Sequence, residues 1–114
     1  MAANNLTYYR GTQFAITHVY QINGVNATTG TKLLFTIKAT PNDTSATDSS
    51  AIYQADVTMT GATNVITIPD TAISDTVLPG TYFYDIKVLD SVSGLILGAT
   101  GQFIIVATPT NRTS

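Results

Sequence analysis

The sequence offers few side chains for acid–base or nucleophilic chemistry. It has one histidine, His18, and seven aspartates, but no cysteine and no glutamate. A serine triad would need His18 beside an aspartate and a reactive serine, and no serine lies in a G-x-S-x-G turn. His18 also falls on the apolar face of a predicted strand. We therefore expect a packed or interface histidine, and a protein that is not an enzyme.

Metal and cofactor sites are equally poorly supported by the residue types. Zinc sites require several histidine or cysteine ligands, which this chain does not have. Two aspartate pairs, Asp43 with Asp48 and Asp70 with Asp75, have oxygen ligands that suit calcium, but neither forms an EF-hand loop. Aspartates at such positions usually cap or turn the backbone. We expect no metal and no cofactor.

The charged residues indicate neither a nucleic-acid partner nor a membrane partner. The formal net charge is −2, and the five basic residues are scattered along the chain: Arg10, Lys32, Lys38, Lys87 and Arg112. No basic patch is formed that could follow a phosphate backbone. No apolar run is long enough to cross a membrane, and the first residues do not read as a secretory signal. The sequence predicts synthesis in the cytoplasm without export.

The composition favours an all-β domain. Apolar residues make up 44% of the 114 residues and charged residues only 11%. Threonine is abundant, and β-branched side chains suit a pleated, half-buried surface. The length fits one domain over residues 1–114, with a core from about residue 9 to residue 107 and a polar C-terminal tail over 108–114. Without disulfides, that core must be stabilised by packing.

Alternating apolar and polar residues predict about seven strands at intervals near ten residues. The predicted elements are strands over 13–22, 32–39, 52–59, 65–68, 81–89, 95–97 and 101–107, a polar loop over 41–50, and one helical turn over 70–77 capped by Asp70. Asn23-Gly24 predicts a tight turn, and residues 60–64 predict a hairpin loop between two strands. This spacing is typical of a β-sandwich.

Two segments break the alternation. Residues 95–97 and 103–106 are apolar on both faces, whereas a strand of a two-layer sandwich should have one wet face. Either a loop or terminal segment covers the outer face, or that face contacts another subunit. Phe83 and Leu89 are also predicted to point outward. The candidate interface residues are Phe83, Leu89, Leu95, Leu97, Phe103 and Ile105.

Residues 78–86, LPGTYFYDI, resemble the penultimate strand of immunoglobulin-like domains. Pro79-Gly80 turns the chain, and Tyr82 lies where a tyrosine corner would hydrogen-bond back across that turn. Tyr84 stands where an antibody domain has its second cysteine, and the sequence has no tryptophan. The resemblance implies an immunoglobulin-like antiparallel β-sandwich that differs from antibody domains.

The order of Arg10-Gly11-Thr12, then residues 29–38, then LPGTYFYDI, then residues 101–106 resembles small immunoglobulin-like domains of tailed-bacteriophage virion proteins. Thr12 replaces the aspartate usual after Arg-Gly. The resemblance implies a structural protein of the virion, a capsid decoration, head-fibre, baseplate or tail component. Its partners would be other virion proteins or further copies of itself. The alternative is a glycan- or cell-surface-binding module with Tyr8, Tyr9 and Tyr53 as stacking residues.

Overall fold

The computed structural model describes residues 5–40, 50–73 and 77–107, and this part of the chain is all-β with no helix. Its nine strands are β1 (Leu6–Tyr9), β2 (Phe14–Val19), β3 (Gln21–Ile22), β4 (Val25–Asn26), β5 (Gly30–Lys38), β6 (Tyr53–Thr58), β7 (Thr63–Ile68), β8 (Gly80–Asp90) and β9 (Gly94–Val106). Two of them, β3 and β4, have only two residues each. The prediction of an all-β protein is confirmed within the described residues.

The long strands form two sheets. The larger has five strands in the order β1-β9-β8-β5-β6, and the smaller pairs β2 with β7. All neighbours are antiparallel except β1, which runs parallel to the second half of β9. The short strands β3 and β4 pair as a separate hairpin.

One hydrophobic core joins the two sheets, an arrangement consistent with a β-sandwich. Strands β5, β7 and most of β8 alternate buried positions with half-buried or exposed ones, because successive side chains point to opposite faces of a sheet. The large side chains that are fully buried come from both sheets and from Tyr20, which lies between β2 and β3. Those of the sheets are Tyr8, Phe35, Phe103, Leu33, Ile37, Ile66, Ile68, Ile86, Ile105 and Val88. Tyr8 lies before the predicted start of the core at residue 9, so the core begins with β1.

Several predicted elements are present. Asn23 and Gly24 form the β3–β4 turn with φ of 53° and 79°, the left-handed region that these residue types tolerate best. The strand predicted over 32–39 is β5, and the strand predicted over 81–89 is β8. The inward side of β8 is the predicted one, because Tyr84, Ile86 and Val88 are buried.

The hairpin predicted around residues 60–64 is wrong. Strand β6 pairs with β5 in the large sheet, whereas β7 pairs with β2 in the small sheet. The connection therefore crosses between the sheets. Asn64 holds this crossing, because its Oδ1 accepts from the Thr60 amide at 3.1 Å and its Nδ2 donates to the Gly61 carbonyl at 2.9 Å.

The two last predicted strands are one continuous strand, β9, of 13 residues. A register shift interrupts its pairing with β8: Ile86 lies opposite Ala99, and Lys87 lies opposite Leu97. Gly98 is the extra residue, so it forms a β-bulge. The chain bends there without leaving the sheet.

The predicted helical turn over 70–77 falls only partly on described residues. At its start the Ala72 amide donates to the Pro69 carbonyl at 3.1 Å, and the described residues form a turn rather than a helix. Residues 74–76 lie outside the described residues, as do 41–49 of the predicted polar loop and the predicted tail over 108–114.

Candidate interaction surface

The turn between β8 and β9 is held by a buried carboxylate. Asp90, the last residue of β8, is only 3% exposed. Its Oδ1 accepts from the amides of Val92 at 2.8 Å and Ser93 at 3.0 Å. Its Oδ2 accepts from the hydroxyls of Tyr20 and Thr29, each at 2.6 Å. Four hydrogen bonds satisfy the carboxylate and fix the turn to segments 61 and 70 residues away in sequence.

These hydrogen bonds set the protonation of the cluster. The Thr29 hydroxyl, followed by the Tyr20 hydroxyl and the two amides, holds the pKa of Asp90 far below its ordinary value. The hydrogen bond to Asp90 in turn raises the pKa of Tyr20 to about 12. At neutral pH Asp90 is therefore an anion and Tyr20 a neutral donor, which makes their hydrogen bond a charge-assisted one.

A cleft of about 350 Å³ separates the β3–β4 hairpin from β9. His18 lies in its wall, and His18 Nε2 is buried without a hydrogen-bond partner among the described residues. Burial lowers the pKa of His18, so the imidazole is neutral at pH 7. A Cβ atom at Gly98 would lie 2.8 Å from that Nε2, so a larger residue at this bulge would displace the His18 ring.

Exposed apolar side chains concentrate at the end of the molecule that Asp90 organises. Of the ten large apolar side chains exposed in the described residues, seven belong to residues 19–25 or 89–97. We call these seven the apolar end: Val19, Ile22, Val25, Leu89, Val92, Leu95 and Leu97. The hydrogen bond from Tyr20 in the first segment to Asp90 in the second joins the two segments.

The large sheet brings three of the predicted interface residues together. Leu89 lies directly opposite Leu95 in the β8–β9 register, and Leu97 lies opposite Lys87. The three leucines are 43%, 54% and 57% exposed in chain order. Phe83 is farther along the same strand, opposite Gln102, and is half-buried. It does not join the apolar end.

Phe103 and Ile105 are wrong as interface residues. They are 0% and 2% exposed because they point into the core from the half of β9 that pairs with β1. Phe103 stacks on the ring of Tyr8 with centroids 5.8 Å apart. The outward positions in this half are Ile104 and Val106, which are only half-buried.

Two tyrosine predictions have different outcomes. The hydrogen bond predicted for Tyr82 is present, because its hydroxyl donates to the Leu78 carbonyl at 2.5 Å. The glycan-stacking trio is not assembled. Tyr8 is fully buried, Tyr9 is exposed on the opposite face of β1, and Tyr53 packs edge-on against Phe35.

Sequence reasoning missed the Asp90 cluster and the residues at the two hairpin tips. Nothing local in the sequence pairs Tyr20 with Asp90, which lies 70 residues later. The residues at the tips of the β3–β4 and β8–β9 hairpins could have been recognised from the sequence. Val92 is an apolar residue in the turn between β8 and β9, Val25 directly follows the predicted Asn23-Gly24 turn, and they are 79% and 68% exposed. Apolar side chains in turns indicate a contact surface, because turns normally face water.

No family model matches this chain, and no curated protein matches it. Within the described residues, no three histidine, cysteine, aspartate or glutamate side chains are grouped to hold a metal ion. Asp43, Asp48 and Asp75 of the predicted calcium pairs lie outside those residues. The described part of the chain contains no helix of the length and apolarity required to span a membrane.

Proposed function

We propose that this chain is an immunoglobulin-like structural subunit of a tailed-bacteriophage virion that decorates or adapts the capsid or tail by binding protein. The apolar end is the observation that carries the protein-binding role. It gathers seven exposed apolar side chains from two chain segments that the hydrogen bond from Tyr20 to Asp90 joins. Exposed apolar area of this kind marks a protein interface.

The strand order supports the immunoglobulin-like part of the proposal. Strands β9, β8, β5 and β6 follow one another as strands G, F, C and C′ do in variable-type domains, and β2 pairs with β7 as B pairs with E. In this assignment β8 is strand F. The hydrogen bond from Tyr82 to Leu78 then has the position of a tyrosine corner.

The virion part of the proposal rests on the sequence resemblance. Three of the four resembling segments, residues 29–38, 78–86 and 101–106, contribute to β5, β8 and β9, which are neighbours in the large sheet. The shared motifs therefore lie on three neighbouring strands of one sheet. A domain of this size that binds through one end suits a repeated part attached to a larger scaffold.

The direct test is to look for the chain in particles. Particles of the phage that encodes it would be purified by density gradient and analysed by mass spectrometry and immunogold labelling. We expect the chain in stoichiometric amounts at a fixed position on the capsid or tail. Its absence from purified particles that assemble and infect normally would overturn the virion role.

A matched pair of variants assigns the binding to the apolar end. Leu97→Lys places a charge in the apolar end, and Val65→Lys places one on β7, where Val65 is 50% exposed. We expect Leu97→Lys to weaken binding to particles that lack the protein by at least about tenfold, because a charge in an apolar contact must lose its hydration. Val65→Lys should bind as the wild type does. Equal binding by all three proteins would exclude the apolar end as the contact.

A further inference from the structure

One edge of β9 is only partly covered. Strand β8 pairs with β9 along its length, but on the other edge β1 pairs only from Phe103 to Val106. The Asn5 side chain accepts from the Gln102 amide at 3.2 Å. Among the described residues no strand pairs with this edge over residues 94–101. An edge of unpaired amides and carbonyls is a template for another strand.

This edge has few features that prevent strand addition. Natural edge strands are commonly protected by charged side chains, proline or bulges. Residues 94–106 contain no charged residue and no proline, and the one protective feature is the bulge at Gly98. Leu95 and Leu97 are exposed beside the edge, so an added strand would also bury apolar surface.

The sequence of this edge is palindromic. Residues 94–98 read Gly-Leu-Ile-Leu-Gly in either direction, with Ile96 at the centre. A two-fold axis through Ile96 would place the same strand antiparallel beside it and set Leu95 against Leu97 of the second copy. Each pair of facing residues across the axis then consists of apolar residues or glycines. The nearest charge in the ladder, on Lys87, is one strand away from the edge.

We propose that residues 94–98 are a self-association strand, and that the partner is a second copy of this chain added antiparallel about Ile96. The two five-stranded sheets then become one sheet of ten strands with an isologous contact. The inference deepens the proposed function, since it names a partner for the apolar end. Five residue pairs bury less than a stable dimer requires, so the contact is weak in dilute solution. It gains strength where a scaffold holds many copies close together.

Cysteine pairing tests both the contact and its register. The chain has no cysteine, so Leu95→Cys and Leu97→Cys each introduce a unique thiol. In the proposed register, residue 95 faces residue 97 of the second copy. An equimolar mixture of the two variants should therefore form a disulfide dimer under mild oxidation. Either variant alone should form much less, because its thiols are two positions out of register.

The control is Val65→Cys, which has similar exposure on the outward side of β7 and reports random collisions. Non-reducing gels would measure dimer yield, and thermal unfolding would establish that each variant is folded. We expect the mixture to exceed both single variants and the control by at least about tenfold. A mixture that yields no more than the control would overturn self-association at this edge. Equal yields from Leu95→Cys alone and from the mixture would overturn the register.

The result of the cysteine-pairing experiment can be distinguished from the result that tests the proposed function. If Leu97→Lys abolishes binding to particles while the cysteine mixture yields only the control level, the apolar end binds another virion protein and the self-association is wrong. If the mixture forms the dimer and the chain is absent from particles, the self-association stands and the virion role is wrong.

Discussion

The two halves of β9 have similar sequences and opposite surroundings. Residues 95–97 and residues 103–106 are both apolar on both faces. In the second half Phe103 and Ile105 are buried and β1 covers the outer edge, whereas in the first half Leu95 and Leu97 are more than half exposed. The difference comes first from the direction of the side chains, because the β-bulge at Gly98 shifts the alternation so that Leu95 and Leu97 point outward whereas Phe103 and Ile105 point into the core. The outward residues differ as well, since Ile104 and Val106 beside β1 are half-buried whereas Leu95 and Leu97, beyond the reach of β1, are exposed.

The largest expected effect lies in the covered half. Phe103→Ala removes a ring that contacts three other aromatic rings, those of Tyr8, Phe14 and Phe35. We expect the free energy of unfolding to fall by about 3–5 kcal/mol, because the variant loses transfer free energy and leaves a cavity. Chemical denaturation with a fluorescence or circular-dichroism readout measures the change.

The matched variant in the exposed half is Leu97→Ala. It should change the free energy of unfolding by no more than about 0.5 kcal/mol, as expected for a surface position without such contacts. If Leu97→Ala costs as much as Phe103→Ala, residue 97 is covered and the contrast between the halves does not hold.

The second-largest effect is expected at the β8–β9 turn, which Asp90 holds and which leads into the exposed first half of β9. Asp90→Asn removes the charge from four hydrogen bonds, and at pH 7 we expect the melting temperature to fall on the order of 10 °C. The pKa of folded Asp90 is lowered, so the stabilisation is present above the ordinary aspartate pKa of 3.8 and is lost as the pH falls below it. The difference between wild type and Asp90→Asn should therefore narrow from pH 7 to pH 2.5.

Thermal unfolding of both proteins at several pH values decides this prediction. A difference that stays constant down to pH 2.5 would mean that Asp90 is not the ionised acceptor. The hydrogen bond from Tyr20 can be checked in the same way at alkaline pH. Its pKa is raised from 10.0 to about 12, so its stabilising contribution is present below pH 10 and is lost as the pH rises toward 12.

The sequence was sufficient for features set by local pattern. The period of two predicted which side chains of β8 face the core, and Asn23-Gly24 predicted a turn with positive φ. The sequence was insufficient where pairing with another strand decides which way a side chain points or which residues lie beside it. The β-bulge at Gly98 makes Leu97 point outward and Phe103 point into the core, although the sequence predicts the same interface role for both. The same limit applies to β6 and β7, whose spacing favours a hairpin although each pairs with a different strand.

The candidate site was predictable to a similar extent. Leu95 and Leu97 are recognisable because residues 95–97 are apolar on both faces, and Leu89 because the alternation of its strand directs it outward. The Asp90 cluster was not, because its partners lie 61 and 70 residues away and only the folded chain brings the hydroxyls to one carboxylate. Long-range polar contacts of this kind leave no periodic signal in the sequence.

A further effect is expected at the covered end of the β8–β9 pair. Tyr82 lies opposite Phe103, and its hydroxyl bonds the Leu78 carbonyl on the exposed side of the molecule. Tyr82→Phe keeps the ring and removes only this hydrogen bond, so we expect a loss of about 0.5–1.5 kcal/mol in the free energy of unfolding. Chemical denaturation measures it, and particle binding should stay unchanged because the apolar end is at the other end of β8. A loss of binding without a loss of stability would instead place Tyr82 in the contact and break the division between a structural and a binding end.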